Sequence, residues 1–295
     1  MSVLALFLVY LLTFLGLATL VVPPLQTLLL DGIGLEPASS LYRVPMLTAA
    51  LVLPWFLRLM ALNSWQAAGY TLPRRAAWTA VGKGIVIGAV IMLLLTGTQW
   101  LLEMHHFAVR DDRWTPYFFV KTLISGLLSG VAVGLIEETL FRGLMHSGMR
   151  RTLGFWSTAL LTAWLYAALH FIKPEALGDA DFTTAEALRM IAGGLARLVD
   201  FAPIADSFVT LVVVGVFLSM VRERTGGILW AIGIHAGWVM IIKLFKYLTD
   251  TTLVDGRPSA WVGAGYDDIT GWMATLFLGT IAAVYWFRSR PKSRV

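Results

Sequence analysis

Of the chain's 295 residues, 58% are apolar and only 14% charged, against roughly 25% charged in a soluble domain that must cover its surface with polar groups. So little charge excludes a soluble globular domain and leaves an exterior that faces lipid. The net charge of +5 is explained by basic loops on one face of a membrane without invoking nucleic acid, and the absence of cysteine excludes disulfides, thiolate metal sites and a cysteine nucleophile.

A helix that crosses a bilayer needs about 20 mostly apolar residues. The first such run, 3–21, lacks a positive leading segment and exceeds the apolar part of a signal peptide, so it is expected to be a retained helix. Further runs lie at 45–62, 84–102, 117–141, 155–172, 207–221, 228–246 and 271–287. Together they predict an all-α polytopic bundle with about eight transmembrane helices, of which 207–221 is the shortest. The chain reads as one bundle in three stretches: N-terminal helices (1–116), a central membrane core (117–246) and a C-terminal helix with a basic tail (247–295). Within the long connection 173–205, Ala185–Val199 alternates apolar and polar residues at helical spacing. That pattern suits an interfacial helix and equally a surface helix covering the bundle.

The loops set the expected orientation. Segments 63–83, 143–154, 222–227 and 288–295 carry Arg74, Arg75, Lys83, Arg150, Arg151, Arg222, Arg224, Arg288, Arg290, Lys292 and Arg294 against the single acid Glu223. The alternate loops, 22–44, 103–116, 173–205 and 247–270, are acidic, with Asp31, Glu36, Glu103, Asp111, Asp112, Glu175, Asp179, Asp181, Glu186, Asp200, Asp250, Asp255, Asp267 and Asp268. Lys/Arg bias puts the first set, and with it both termini, in the cytoplasm. The expected location is the plasma (inner) membrane of a bacterium.

Ionisable residues inside the apolar runs carry the functional signal. An acidic or basic residue at mid-helix costs about 2.5–3.5 kcal/mol on insertion scales, so Glu137, Glu138 and Arg142 together need compensation or a purpose. On an α-helix Glu138 and Arg142 share a face in the favourable order for an ion pair, while Glu137 lies about 100° round the axis. Arg142 is therefore expected to hold Glu138 ionised and leave Glu137 as the reactive carboxylate. His170 closes the fifth run and His235 sits inside the seventh. Counting about 1.5 Å per residue from the helix ends puts Glu137 roughly 18 Å, His170 roughly 26 Å and His235 roughly 10 Å deep, a spread that permits a common site in the inner half of the membrane. No HExxH zinc motif occurs, Asp267 and Asp268 fall in a loop and not in a span, and Ser147 lacks the preceding glycine of a nucleophile turn.

Glu137-Glu138-x-x-x-Arg142 followed by Gly143, then Tyr166-x-x-x-His170, then Thr225-Gly226 leading to His235-Ala236, resembles the CAAX protease and bacteriocin-processing family, which includes the Ras-converting CAAX endopeptidases. The family pattern is EExxxR, F/YxxxH and HxxxN. The resemblance covers 117–246, and the segment Tyr266–Trp272 is also similar. It implies an intramembrane endopeptidase of glutamate type, in which Glu137 and His170 hold and activate a water and His235 donates to the oxyanion. Carboxylate–imidazole proton transfer and a fixed donor in a low-dielectric site fit that chemistry. The sequence departs from the pattern at Val239, where the family often has asparagine. Backbone amides near Gly233 or Gly237, or water, would have to supply the second donor.

Other readings use the same residues. Glu137, His170 and His235 could ligate one zinc and leave a fourth position for water, although no two of them share a helix; the metal-free mechanism is favoured and no cofactor is required. A non-catalytic peptide-binding or immunity protein is a second class. A transporter or proton relay is a third, disfavoured because no inverted repeat or Gly/Pro-broken helix pair is visible. The expected substrate is a membrane-embedded or lipid-proximal polypeptide in contact with the bilayer.

Overall fold

A computed structural model describes residues 3–59, 64–108, 115–172, 182–264 and 266–288. The basic residues Arg290, Lys292 and Arg294, the acids Asp111, Asp112, Glu175, Asp179 and Asp181, and the end of the expected second span (60–62) lie outside them. The chain is mostly helical: α1 (Val3–Leu25), α2 (Pro37–Leu59), α3 (Arg74–Leu101), α4 (Pro116–Glu138), α5 (His146–Met149), α6 (Phe155–Phe171), α7 (Thr184–Val199), α8 (Ala205–Thr225), α9 (Leu229–Leu248) and α10 (Trp272–Arg288). Each expected span falls on one of these helices. Five segments among the described residues are long and apolar enough to cross a membrane: Ala5–Leu29, Arg74–Leu101, Pro116–Met149, Ala202–Thr225 and Leu229–Leu248. The run at 207–221 thus belongs to a fuller helix than its apolar core suggested, because Ala205 and Asp206 at one end and Arg222 to Thr225 at the other extend it.

Two features depart from a plain helical bundle. Short antiparallel pairs join β1 (His105–Phe107) to β2 (Thr249–Thr251) and β3 (Leu253–Val254) to β4 (Arg257–Pro258). The fourth span also does not end as an α-helix. After Glu138 it continues as a π-helical stretch, Thr139–Met145, whose i→i+5 bonds widen the turn, a feature often found at functional sites.

The described residues form two compact units. The first comprises 1–63 and 165–202. In it α1, α2 and α7 bury Ala18, Val22, Leu41, Ala187, Met190 and Ile191 together. Tyr10 of α1 stacks on Phe56 of α2 with centroids 4.2 Å apart. The expected helix at Ala185–Val199 is α7, entered through Thr183, whose hydroxyl accepts the Glu186 N–H at 3.3 Å, half of a capping box. Its buried stripe packs in this core while Leu188, Leu195 and Val199 stay exposed.

The second unit comprises 64–164 and 203–295. Its centre is α9, held between α3 and α4 through small residues. Apolar side chains gain little from one another when the solvent is itself lipid, so close backbone approach at glycine drives such packing. A Cβ at Gly84 would lie 2.8 Å from the Trp230 carbonyl, and one at Gly130 would lie 2.6 Å from that of Ala236. Gly88, Gly233 and Gly237 are closer still to facing backbone. The α8–α9 turn is made by Gly226, whose left-handed φ of 75° places its N–H on the Arg222 carbonyl, a helix-ending geometry that glycine adopts without strain.

Candidate active site

Helix packing explains why His235 meets the paired glutamates. Gly134, one turn before Glu138, has no side chain, and a Cβ there would lie 3.5 Å from that of His235. The imidazole therefore passes across the face of α4. Its Nδ1 lies 3.0 Å from Glu138 Oε1 and its Nε2 lies 3.8 Å from Glu137 Oε2. Arg142 Nη1 donates to the same Glu138 Oε1 at 3.1 Å, and its Nη2 donates to the Gly215 carbonyl of α8 at 3.2 Å. Arg142 and Glu138 are both completely buried.

Close contacts surround both the side chain and the backbone of Arg142. Gly215 must lack a side chain, since a Cβ would sit 2.6 Å from that of Ala163 and 3.3 Å from Arg142 Nη2. Gly143, which follows the EExxxR motif, admits the Ala68 carbonyl 2.6 Å from where its own Cβ would stand. Arg222 Nε donates to the Arg142 carbonyl at 2.7 Å, and its Nη2 donates to Ser147 Oγ at 2.6 Å. The entry to the π-helical stretch is tied as well. Thr139 Oγ1 donates back to the Leu135 carbonyl, so the Tyr70 hydroxyl, 2.6 Å away, donates to Thr139.

The two glutamates are thereby separated in kind. The Glu138 side chain is 0% exposed and grips two cationic or donating groups, whereas that of Glu137 is 14% exposed and faces His235. Because Glu138 is paired to arginine, the His235 Nδ1 acts as donor to it, which fixes the ring and directs Nε2 toward Glu137. The structure thus brings together four of the five expected residues: Glu137, Glu138, Arg142 and His235. The fifth, His170, belongs to the first unit. There its Nδ1 lies 2.7 Å from the Tyr166 carbonyl and its ring 4.4 Å from the Tyr166 ring, so the aromatic and the histidine of the second motif are in contact. Val239, one turn beyond His235 on α9, is half-buried and offers no donor.

Sequence reasoning missed three supports. Arg222 read only as a loop cation, Gly215 carried no signal, and Tyr70 stood outside every motif. The lone acid of the basic face, Glu223, is paired: Arg150 Nη2 lies 2.9 Å from it and His146 Nε2 lies 3.5 Å away.

A buried carboxylate–guanidinium–imidazole centre with a second, partly exposed carboxylate beside it has the groups that acid–base hydrolysis uses. In the family comparison, residues 119–241 match the family described as type II CAAX prenyl endopeptidase Rce1-like, a match that supports assignment to the CAAX protease and bacteriocin-processing family. No curated protein and no solved structure matches the chain.

A zinc site needs three or four converging donors, and among the described residues no three His, Asp or Glu side chains are grouped to hold an ion. The Glu138 oxygen nearest the centre is already shared by Arg142 and His235.

Proposed function

We propose that the protein is a metal-free intramembrane endopeptidase that cleaves membrane-embedded or lipid-proximal polypeptides with a water activated at Glu137. The observation that carries this reading is the difference between the two glutamates: Glu138 is fully buried against Arg142 and His235, and Glu137 is partly exposed with its Oε2 3.8 Å from His235 Nε2. Glu137 takes a proton from the water as its oxygen attacks the scissile carbonyl carbon. The carbonyl oxygen becomes an oxyanion, and His235, as the imidazolium with a proton on each ring nitrogen, donates to it from Nε2 while its Nδ1–H donates to Glu138. Glu137 then returns its proton to the leaving nitrogen as the C–N bond breaks. The family motif supports His170 as the second group on the water.

Lys/Arg bias supports eight spans, cytoplasmic termini and cleavage in the cytoplasmic half of the bilayer. The test is purified protein in lipid with a prenylated CAAX peptide and an unmodified membrane peptide. Native protein should cleave at least one of them in the presence of strong chelators. Glu137→Gln should lower the rate about 10²–10⁴-fold, the usual contribution of a general base, with an unchanged unfolding temperature. Full loss of activity on chelation, or a Glu137→Gln variant as active as the native protein, would overturn the proposal.

A further inference from the structure

The helix pair that carries the catalytic centre holds a second ionic feature inside the membrane. Lys243 of α9 lies in the apolar span Leu229–Leu248 and is exposed. A cation in such a position is costly and marks a functional site by default. Its ammonium donates to Ser129 Oγ of α4 at 2.7 Å and, among the described residues, pairs with no carboxylate. A hydroxyl takes only one of the three ammonium N–H groups, so the lysine still has donors to offer.

The direction of this side chain is informative. Lys243 Cβ is level with Gly126, where an added Cβ would lie 3.6 Å from it. Ser129 stands three residues further along α4 toward Glu137, about 4.5 Å. The lysine therefore reaches inward, away from the Leu248 end of α9, whereas a lysine merely tolerated in a span snorkels to the nearer membrane edge. On α4, two neighbouring rows of residues four apart differ sharply. Gly126, Gly130, Gly134 and Glu138 are buried, the glycines against the α9 backbone. Ser125, Ser129, Val133 and Glu137 beside them are all at least partly exposed. This second row is a strip of accessible surface with Glu137 at one end. The Lys243–Ser129 pair lies eight residues away on it, about 12 Å.

An extended chain rises about 3.3 Å per residue, so that separation spans about three or four residues. Resting on the protease reading, we infer that Lys243 and Ser129 form a subsite for a carboxylate of the polypeptide substrate, three or four residues from the bond that is cut. The carboxylate neutralises the ammonium inside the membrane and accepts its remaining N–H groups in charge-assisted hydrogen bonds, which sets which bond lies over Glu137. A lipid phosphate is poorly placed for this role, because headgroups lie at the helix ends and the pair sits about 12 Å inside the Leu248 end of α9. An acidic side chain and the C-terminus of the substrate present the same oxygens.

The experiment uses the full chain in lipid with fluorescent Leu/Ala peptides of about 20 residues, long enough to span. One form is C-terminally amidated and has no acid, a second has a free C-terminal carboxylate, and a third is amidated with a single aspartate moved along the chain. Native protein should cut the carboxylate-bearing peptides about tenfold faster than the neutral one, the worth of a charge-assisted hydrogen bond. Mass spectrometry should find the cut moving with the acid, always about three or four residues from it. A response to the free C-terminus alone assigns the subsite to the chain end, and a response to the aspartate series alone assigns it to a side chain. Lys243→Met should bring the acidic and neutral rates together through KM, and Lys243→Arg should keep them apart. A lysine that only ties α4 to α9 would instead lower the unfolding temperature of Lys243→Met and leave the choice of bond unaltered. Binding to Glu137→Gln, read by fluorescence anisotropy without turnover, separates this inference from the protease reading. Tighter binding of the acidic peptides there, lost when Lys243→Met is added, upholds the subsite even if native protein cuts nothing, an outcome that sinks the protease reading alone. Cuts that ignore the position of the acid, a preference that survives Lys243→Met, or equal binding of acidic and neutral peptides would each overturn the subsite.

Discussion

The two ends of α9 solve the same problem in opposite ways. At the His235 end, side chains satisfy side chains: Arg142 and His235 converge on one oxygen of Glu138, and the cluster is sealed by helices packed backbone to backbone. At the Lys246 end, backbone and loop satisfy the side chains: Asp267 is consumed by its own turn, and His105 is anchored on the Asp268 backbone. The first arrangement ties a catalytic proposal to the integrity of a buried ion pair. The second orders a loop whose carboxylates and Lys246 line a cavity.

The largest effect on stability should come from breaking the first arrangement. Arg142→Met removes the cation and leaves Glu138 buried beside one imidazole. Truncating one partner of a buried pair typically costs about 3–5 kcal/mol, enough to abolish folding of a marginal protein. The double variant Glu138→Gln with Arg142→Met removes both charges and should recover a substantial part of that loss in a denaturation series. If Arg142→Met alone unfolds at the native temperature, the pair is not what holds this end together.

A smaller effect separates the helix interface from the lipid-facing surface. Gly130→Ala sets a Cβ 2.6 Å from the Ala236 carbonyl, a backbone atom that cannot step aside, whereas Gly279 on α10 has nothing within 4 Å of the same added carbon. Overpacking of this kind costs about 1–3 kcal/mol. Gly279→Ala should be neutral or slightly stabilising, since alanine gives up less chain entropy in a helix. Thermal unfolding of the two variants side by side reads the difference, and equal tolerance would contradict the close packing of α4 on α9.

Much of this was legible in the sequence, and what was not has a physical cause. Apolar runs located every long helix, and the spacing of Glu138 and Arg142 announced their ion pair. The π-helical turn was not legible, because it is shaped by partners remote in sequence: the Ala68 carbonyl lodged against Gly143, and the Gly215 carbonyl accepting from Arg142. Depth counting set His235 and Glu137 about 8 Å apart, yet the side chains approach to 3.8 Å. The count took the α8–α9 turn as lying at the membrane edge. In the structure Ile228 donates its N–H to the Gly69 carbonyl at 3.0 Å, so that turn is tucked against the segment that also carries Ala68 and Tyr70. The fifth motif residue, His170, was legible together with its aromatic neighbour because four-residue spacing on a helix places them on one face.

The mildest perturbation is pH, which substitutions at the Lys246 end read through His105 and Asp268. His105 titrates near 4 in the folded protein because burial disfavours its cation, against an ordinary value of 6.5. Between those values the unfolded chain binds more protons than the folded one, so stability falls as pH drops from about 6.5 toward 4 and is level above that window. Asp268 works against this. Burial raises its carboxyl above the usual range, so its folded form holds a proton longer than the unfolded chain and gains stability as pH falls. Asp268→Asn removes that opposing contribution and should make the acid-side loss steeper, whereas His105→Gln should flatten it. Unfolding temperatures of the three proteins from pH 7.5 to 4.5 separate the contributions. Parallel curves for all three would mean that neither group is buried as the structure has it.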